Sequence, residues 1–293
     1  MNISYQLVKR LGLHKTFDQK DAFLIFGDPR SGSTWLAELI AEASKRIIID
    51  EPLNLNYAKN KVPTDFGWRQ DIPVDQDWKE ALNYFSGIFD GKNIPSDCLQ
   101  KNSIASFISA KSGVYKIIRG NRLLHWLKAN FQFRYKPIFL IRHPLAMIHS
   151  LSKHSSWSND YKPYKLPESR NIEVYEKHFT FLNGLQSNEE QILSHWCISN
   201  EAYFKNDTLM QEVIVLKYED LLLDPEKEVK GIFKEWGVEG KMSNIAWRKP
   251  STTSDKQGNI SPEIQLDNWK KEMNKEQQRK FNRVLEYFEV AYQ

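Results

Sequence analysis

One segment constrains the fold of this chain more than any other, because it has the pattern of a phosphate-binding loop between a strand and a helix. Residues 22–26 (AFLIF) form a continuous apolar run, typical of a strand buried on both faces. Residues 34–44 (TWLAELIAEAS) have the apolar spacing and the Ala, Leu and Glu content of a helix. Between them, residues 27–34 (GDPRSGST) match the spacing G-x-x-x-x-G-K-[ST], except that Ser33 stands in place of the lysine.

The rest of the chain alternates between short apolar runs and helical patterns. Strands are predicted at residues 46–49, 114–118, 137–141 and 213–216, and helices at 121–130, 145–153, 189–205 and 226–236, with one or two closing helices in 267–292. Strands that alternate with helices favour a parallel sheet covered on both faces. We therefore predict an α/β fold, a P-loop NTPase-like three-layer α/β/α sandwich with a central parallel sheet, built as a single domain over residues 1–293.

Two stretches interrupt this alternation. Residues 59–112 are rich in Trp, Phe and Pro, and residues 155–187 combine Tyr and Phe with charges. Long insertions in α/β enzymes lie above the carboxyl edge of the sheet, where ligands bind. We expect these two insertions to form the binding site for an acceptor substrate.

The chemistry of the loop points to an anion that is bound without a metal. Backbone N–H groups and the helix amino end make such a loop a cradle for phosphate or sulfate. The cation has moved from the lysine position to Arg30, and Arg142 stands where the strand at 137–141 ends. A P-loop NTPase commonly has an aspartate at that strand end for the magnesium shell, and an arginine there repels a metal. The sequence thus favours an anionic nucleotide over Mg·ATP.

Composition excludes several other classes of protein. The formal net charge is only +4, from 41 Lys and Arg against 37 Asp and Glu, so no nucleic-acid partner is predicted. Cys98 and Cys197 lack the spacing of a zinc site or a disulfide framework, and we predict buried free thiols. No apolar run approaches the roughly 20 residues of a membrane span, and the start lacks an apolar signal core. We predict a cytoplasmic protein without a transmembrane segment.

Several motifs together resemble those of the sulfotransferases, in the order found in that family. Residues 29–36 (PRSGSTWL) resemble the family's 5′-phosphosulfate loop, above all that of the carbohydrate and tyrosylprotein branches. Arg142-His143-Pro144 followed by Ser150 is similar to the 3′-phosphate motif. Further landmarks are residues 51–53 (EPL), Lys116 with Arg119, and residues 218–222 (YEDLL). The resemblance spans residues 23 to about 269.

This resemblance implies that the donor is 3′-phosphoadenylyl sulfate (PAPS) and that the product is adenosine 3′,5′-bisphosphate (PAP), with no metal required. The main-chain amides of residues 31–34 and two of their hydroxyls would hold the 5′-phosphosulfate, Arg142 and Ser150 would hold the 3′-phosphate, and Arg30 would face the transferring group. The donor-binding residues so implied are Arg30, Ser31, Gly32, Ser33, Thr34, Trp35, Arg142, Ser150 and Lys256. Of these, Trp35 stacks on the adenine or packs its helix, and Lys256 lies in a late loop that matches the family more loosely.

The resemblance also implies how the acceptor hydroxyl is activated. The phenol and steroid branch has a histidine shortly after its strand lysine, whereas here Ile117 and Ile118 follow Lys116. Glu51, which follows the second strand, is then the expected base, as in the glycan and protein-tyrosine branches. Arg30 and Lys116 would stabilise charge on the leaving oxygen in an in-line transfer. The acceptor is expected to be a carbohydrate, with a lipid, a peptide tyrosine or a small secondary metabolite as the open alternatives.

Two other functions remain open at this stage. A P-loop kinase for a small molecule fits the loop spacing, although the absent lysine and Arg142 argue against it. A non-catalytic nucleotide-binding or scaffolding protein would have Glu51 and Lys116 away from Arg30. The positions of these side chains therefore bear directly on the choice.

Overall fold

A five-stranded parallel sheet forms the centre of the described part of the chain, which in this computed structural model comprises residues 16–57, 61–154, 160–243, 245–247 and 261–292. The strands are β1 (Phe23–Gly27), β2 (Ile47–Asp50), β3 (Gly113–Ile118), β4 (Ile138–Ile141) and β5 (Ile214–Lys217). Their order across the sheet is β2-β3-β1-β4-β5, and every neighbouring pair is parallel. The predicted parallel sheet is confirmed, and all carboxyl ends meet at one edge.

Both faces of the sheet are buried, which explains why the strands are continuous apolar runs. On β1, Leu24 and Phe26 belong to one hydrophobic core, while Phe23 and Ile25 belong to the other. The alternation follows from the period of two in a strand. Strand β4 repeats this pattern, so the sheet separates two cores and the three-layer α/β fold is confirmed.

Helices supply the two outer layers. They are α1 (Ser33–Ser44), α2 (Lys79–Phe89), α3 (Ile104–Ser109), α4 (Leu124–Asn130), α5 (Pro144–Ser152), α6 (Glu173–Glu176), α7 (Phe179–Asn183), α8 (Asn188–Ser199), α9 (Glu201–Lys205), α10 (Asp207–Gln211), α11 (Tyr218–Leu223), α12 (Pro225–Trp236), α13 (Pro262–Glu272) and α14 (Lys275–Tyr287). Short 3-10 turns lie at Gln19–Asp21, Ser96–Leu99 and Asn121–Leu123. Apolar residues of α1, α11 and α12 fill one core, and those of α2, α4, α5, α8 and α14 fill the other.

The predicted continuous helix over residues 189–205 is wrong, because it breaks at Asn200. The side-chain amide of Asn200 donates to the carbonyl oxygen of Trp196 at 2.8 Å and to Oδ2 of Asp28 at 2.7 Å. An asparagine that bonds nearby backbone competes with the helical pattern, and here it also reaches the loop after β1. Helix α8 therefore ends at Ser199, and α9 begins at Glu201.

The cysteines and the apolar helices bear on two further predictions. Cys98 and Cys197 are both buried and free, as predicted. No helix among the described residues has the length and apolar character needed to cross a membrane.

Candidate functional site

The loop between β1 and α1 contains two residues with positive φ, Arg30 and Gly32. Gly32 has φ 86° and precedes α1, and Arg30 has φ 65°. A Cβ atom on Gly32 would lie 2.4 Å from Cδ2 of Tyr218, so any other residue would clash with that ring. The glycine thus allows the loop to turn tightly over the Tyr218 side chain and to begin the helix with Ser33 and Thr34.

Arg142 supports this loop from the end of the neighbouring strand β4. Its Nη1 atom donates to the carbonyl oxygen of Arg30 at 2.7 Å. Its guanidinium carbon lies 4.3 Å from the centre of the Tyr218 ring, a cation–π contact. The arginine predicted from the strand end therefore contacts the phosphate loop itself.

Arg30 and Ser150 meet on the same side of the loop. The Nε atom of Arg30 donates to the Oγ atom of Ser150 at 3.1 Å. Ser150 lies on α5, the helix that directly follows β4 and Arg142. The structure thus brings three predicted residues, Arg30, Arg142 and Ser150, into one basic and hydroxyl-bearing group beside the loop.

The residue directly before α5 is a neutral histidine, His143. His143 accepts a hydrogen bond from the backbone N–H of Leu145 at its Nδ1 atom, at 3.2 Å. Burial, followed by the cations Lys270 and Arg142, lowers the pKa of His143 to about 4. A neutral ring can accept this hydrogen bond, so His143 caps the helix that carries Ser150.

Lys116 lies on the other side of the loop, under the first turn of α1. Its Nζ atom donates to Oγ1 of Thr34 at 3.0 Å and pairs with Oδ1 of Asp50 at 2.6 Å. Asp50 is its register partner on β2, so both side chains point to the same face of the sheet. Burial disfavours the Lys116 ammonium, but the carboxylates of Glu51 and Asp50 outweigh it and raise the pKa of Lys116. Lys116 is therefore a cation at neutral pH.

Glu51 completes this second group. Its Oε1 atom lies 3.1 Å from Nζ of Lys116, and its Oε2 atom lies 4.0 Å from Nη1 of Arg119. Asn54 donates to Oε2 at 3.2 Å. The Glu51 side chain is 24% exposed, against 13% for Asp50, so Glu51 is the more accessible of the two carboxylates.

Backbone strain is concentrated around these two groups. Seven non-glycine residues of the described chain have positive φ, and four of them, Arg30, Glu51, Arg69 and Arg119, contact the loop or the residues beside it. Such conformations cost free energy and persist where the surrounding structure holds them, often at functional sites. Three of these four positions, Arg30, Glu51 and Arg119, thus lie just after the ends of β1, β2 and β3.

An aromatic side chain from the first insertion, Trp68, contacts Arg119, which is a neighbour of Glu51. The Arg119 guanidinium lies 4.6 Å from the centre of the Trp68 ring, and Trp68 is 37% exposed. Burial, and then the neighbouring cation of Arg69, lowers the pKa of Arg119 to about 10, so Arg119 stays charged at neutral pH. The exposed ring of Trp68 therefore lies over Arg119, whose guanidinium also faces the Glu51 carboxylate.

Three buried polar atoms at the loop fit a site that binds an anion. They have no hydrogen-bond partner within the described ranges: Ser31 Oγ, Trp35 Nε1 and Arg142 Nε. A buried donor without a partner is costly, and it is rare unless a ligand or water satisfies it. Trp35 also packs its ring against the core beneath α1. These donors and the loop amides would suit the oxygens of a phosphate or sulfate group.

The predicted site residues thus fall into two groups beside the loop. Arg30, Arg142 and Ser150 form one group, and Lys116 and Glu51 form the other. Lys256, together with the late loop around it, lies outside the described residues. No cluster of three or more metal-ligating side chains occurs in the described ranges.

Sequence reasoning missed several residues that complete the site. They are Asp28, Asp50, Arg69 and Trp68, while Tyr218 was noted only as part of a motif. Asp50 had a local signal, since it directly follows the apolar run of β2 and precedes Glu51. Arg69 and Trp68 lie in the insertion that was predicted to bind the acceptor, but no local signal singled them out, because only tertiary structure brings them to the loop.

Comparison with known proteins places sulfotransferases among the similar solved structures. No protein-family model matches the chain, and no curated protein does. The sulfotransferase domain of the olefin synthase from Synechococcus PCC 7002 is 18% identical, with a TM-score of 0.48, over 96% of this chain and 98% of that domain.

Two further structures have similar scores. The sulfotransferase domain from the curacin biosynthetic pathway is 16% identical, with a TM-score of 0.46, over 95% of this chain and 100% of that one. The mouse sulfotransferase SULT7A1, complexed with PAP, is 16% identical, with a TM-score of 0.44, over 98% of this chain and 91% of that one.

Proposed function

We propose that this protein is a PAPS-dependent sulfotransferase that transfers a sulfuryl group to an acceptor hydroxyl. The observation that carries the proposal is the pair of arginines at the phosphate loop. Arg30 lies in the loop, and Arg142 at the end of β4 donates to the Arg30 carbonyl. A nucleoside triphosphatase would use a loop lysine and a strand-end acid with magnesium at these places. Guanidinium groups instead favour an anionic nucleotide that is bound without a metal.

The donor would lie across the loop, with a phosphate at each side. The amides of residues 31–34 and the hydroxyls of Ser33 and Thr34 would hold the 5′-phosphosulfate. Arg142 and Ser150 would hold the 3′-phosphate, since Arg142 follows the neighbouring strand β4 and Ser150 lies on the next helix, α5. The bidentate geometry of an arginine suits a phosphate group.

The reaction would be an in-line displacement at sulfur. The acceptor oxygen forms the new bond to sulfur as the bond to the bridging phosphate oxygen breaks. Glu51 would take the proton from the acceptor hydroxyl, and Arg30 and Lys116 would stabilise the negative charge on the leaving oxygen. The contact of Lys116 with Thr34 supports its role near the 5′ end of the donor.

The acceptor would bind between the loop and the first insertion. Trp68, from residues 59–112, is exposed and lies over Arg119, which in turn faces Glu51, and this supports an acceptor role for the insertion. A flat indole face packs well on a sugar ring and leaves its hydroxyls free. We therefore propose a carbohydrate acceptor; a cytoplasmic location and the role of residues 155–187 stay predictions.

Replacing Trp68 with alanine should weaken acceptor binding more than donor binding. We expect the KM for a saccharide acceptor to rise roughly 10-fold, because a stacked aromatic contact is lost. The measurement is transfer from sulfur-35-labelled PAPS to a panel of methyl glycosides. Tyr287→Ala, an exposed aromatic residue on α14, is the control. An unchanged KM, or a panel that the wild type does not sulfate, would contradict the carbohydrate site.

The first test of the proposed function is calorimetric titration of PAP into the protein with EDTA present. We expect tight binding without metal, and PAP to bind better than adenosine 5′-monophosphate, which lacks the 3′-phosphate. In Arg142→Ala, PAP affinity should fall roughly 10- to 100-fold, as for a lost charged hydrogen bond, and the preference for PAP should shrink. Arg134→Ala, an exposed arginine paired with Asp21, is the matched control.

The same titration separates the alternatives. If ATP binds only with magnesium and is then consumed, the protein is a kinase instead. Binding of PAP that is equally tight in Arg142→Ala would remove the arginine from the donor site. No binding of either nucleotide would leave a scaffolding protein.

A further inference from the structure

The phosphate loop contains a buried carboxylate, which is unexpected at a site for an anion. Asp28 directly follows β1 and is 2% exposed. A negative charge so close to a bound phosphosulfate would repel it, most strongly where water is excluded. A buried carboxylate is also costly unless it is paired and hydrogen-bonded. The loop therefore depends on whatever compensates Asp28.

Arg69, from the first insertion, supplies that compensation. Its Nη1 atom pairs with Oδ1 of Asp28 and also donates to Oγ of Ser199 at 2.7 Å. The other oxygen, Oδ2, accepts from the side-chain amide of Asn200 at 2.7 Å and lies 3.4 Å from that of Asn121. Both Asp28 oxygens are thus held by side chains from three separate parts of the chain.

The segment that carries Arg69 is built to hold it in place. Arg69 has φ 56° and is only 8% exposed, and its carbonyl oxygen accepts from the Tyr175 hydroxyl at 2.7 Å. Next to it, Gln70 donates to the carbonyl oxygen of Arg170 at 2.6 Å. A Cβ atom on Gly67 would lie 2.6 Å from the Ser169 hydroxyl oxygen. The turn is therefore fixed on both sides by residues of the second insertion.

We propose that Arg69 is a positioning residue of the donor site: it neutralises Asp28 and fixes the phosphate loop in its anion-binding conformation. This inference rests on the proposed function and extends it, since Arg69 would act through Asp28 without touching the donor. It also links the two sides of the reaction, because Arg69 directly follows Trp68 on the same turn. Trp68, at the proposed acceptor site, and the phosphate loop are then held by the same turn.

The test uses variants that separate charge from geometry. Arg69→Met removes the cation, Arg69→Lys keeps it without the planar fork, and Arg69→Met with Asp28→Asn removes both charges. The control pair is Arg170→Met with Asp65→Asn, an exposed ion pair between the same two insertions. PAP affinity is measured by calorimetry, and loop order by hydrogen exchange of the amides in residues 28–34.

We expect Arg69→Met to weaken PAP binding by about 10-fold or more and to speed exchange of the loop amides, while amides of β1 and β3 stay protected. The double variant should recover most of the affinity, because the uncompensated carboxylate is gone, and Arg69→Lys should bind within about 5-fold of wild type. The control pair should change neither property. If Arg69→Met fails to fold, a double variant that folds and protects its loop amides supports the inference, and a double variant that also fails to fold or to protect them overturns it.

Two results would overturn the inference: loop exchange and PAP affinity of the single variant Arg69→Met that stay at wild-type values, or a double variant that binds PAP no better than a folded Arg69→Met. A wild type that binds no PAP would instead overturn the proposed function. In that event the hydrogen-exchange comparison still decides whether Arg69 orders the loop.

Discussion

Replacing Arg30 with alanine is expected to slow sulfuryl transfer by about 10³-fold or more while the protein stays folded. The negative charge of an in-line transfer collects on the oxygen that leaves sulfur, and a fixed cation beside that oxygen stabilises the transition state more than the ground state. Arg30 is the cation of the loop, because Ser33 occupies the position of the usual lysine. The measurement is turnover of sulfur-35-labelled PAPS, with a saccharide or water as acceptor.

The fold should tolerate this change because the contacts of the loop backbone remain. Arg142 donates to the main-chain carbonyl of residue 30, which alanine also provides. We expect the thermal midpoint to shift by no more than about 3 °C. Arg30→Lys should retain part of the activity, because a cation remains without the planar fork. Turnover of Arg30→Ala above one tenth of wild type would remove Arg30 from catalysis.

The sheet was predictable because its strands satisfy a simple rule. Strands buried on both faces must be apolar throughout, so β1 and β4 are visible as unbroken runs. The loop was predictable for a similar reason, since its glycine and its place between strand and helix follow from local backbone geometry. Elements of this kind depend on neighbours in sequence.

The parts that escaped prediction depend on distant neighbours instead. Asn200 ends α8 because its side chain reaches Asp28, a contact across 172 positions of sequence. Arg69 reaches the same carboxylate across 41 positions. In both cases a local pattern, helical at 189–205 and irregular at 59–112, gives no sign of the partner. Tertiary contacts at the loop thus decide what local propensity cannot.

The division of the site into two groups also could not be foreseen. The motifs predicted that Arg30, Lys116 and Glu51 all serve one transfer step, without indicating their contacts. In the structure, Lys116 contacts Glu51 and Thr34, whereas Arg30 contacts Ser150. The loop joins the groups, since Arg30 lies within it and Thr34 lies in the first turn of α1, which directly follows it. This arrangement supports a donor that spans the loop.

Replacing Glu51 with glutamine should reduce transfer to the acceptor by about 10²- to 10⁴-fold, the usual contribution of a positioned base. Glutamine has the same shape and leaves the strained backbone at φ 46° as it is. Donor binding should stay within about 3-fold of wild type, because Glu51 follows β2 while the donor groups lie on β1, β4 and their helices. The measurement pairs label transfer from PAPS with calorimetric titration of PAP.

Asp50 provides the matched control for this experiment. Asp50 and Glu51 are adjacent carboxylates that pair with the same ammonium, Lys116, at 2.6 and 3.1 Å. If Glu51 acts only by holding Lys116, then Asp50→Asn and Glu51→Gln should lower transfer by similar factors. If Glu51 is the base, Glu51→Gln should lower transfer at least about 10-fold more than Asp50→Asn does, because the more accessible Glu51 carboxylate would then also take the proton. Equal losses would therefore assign Glu51 to the support of Lys116 and leave the base to be found elsewhere.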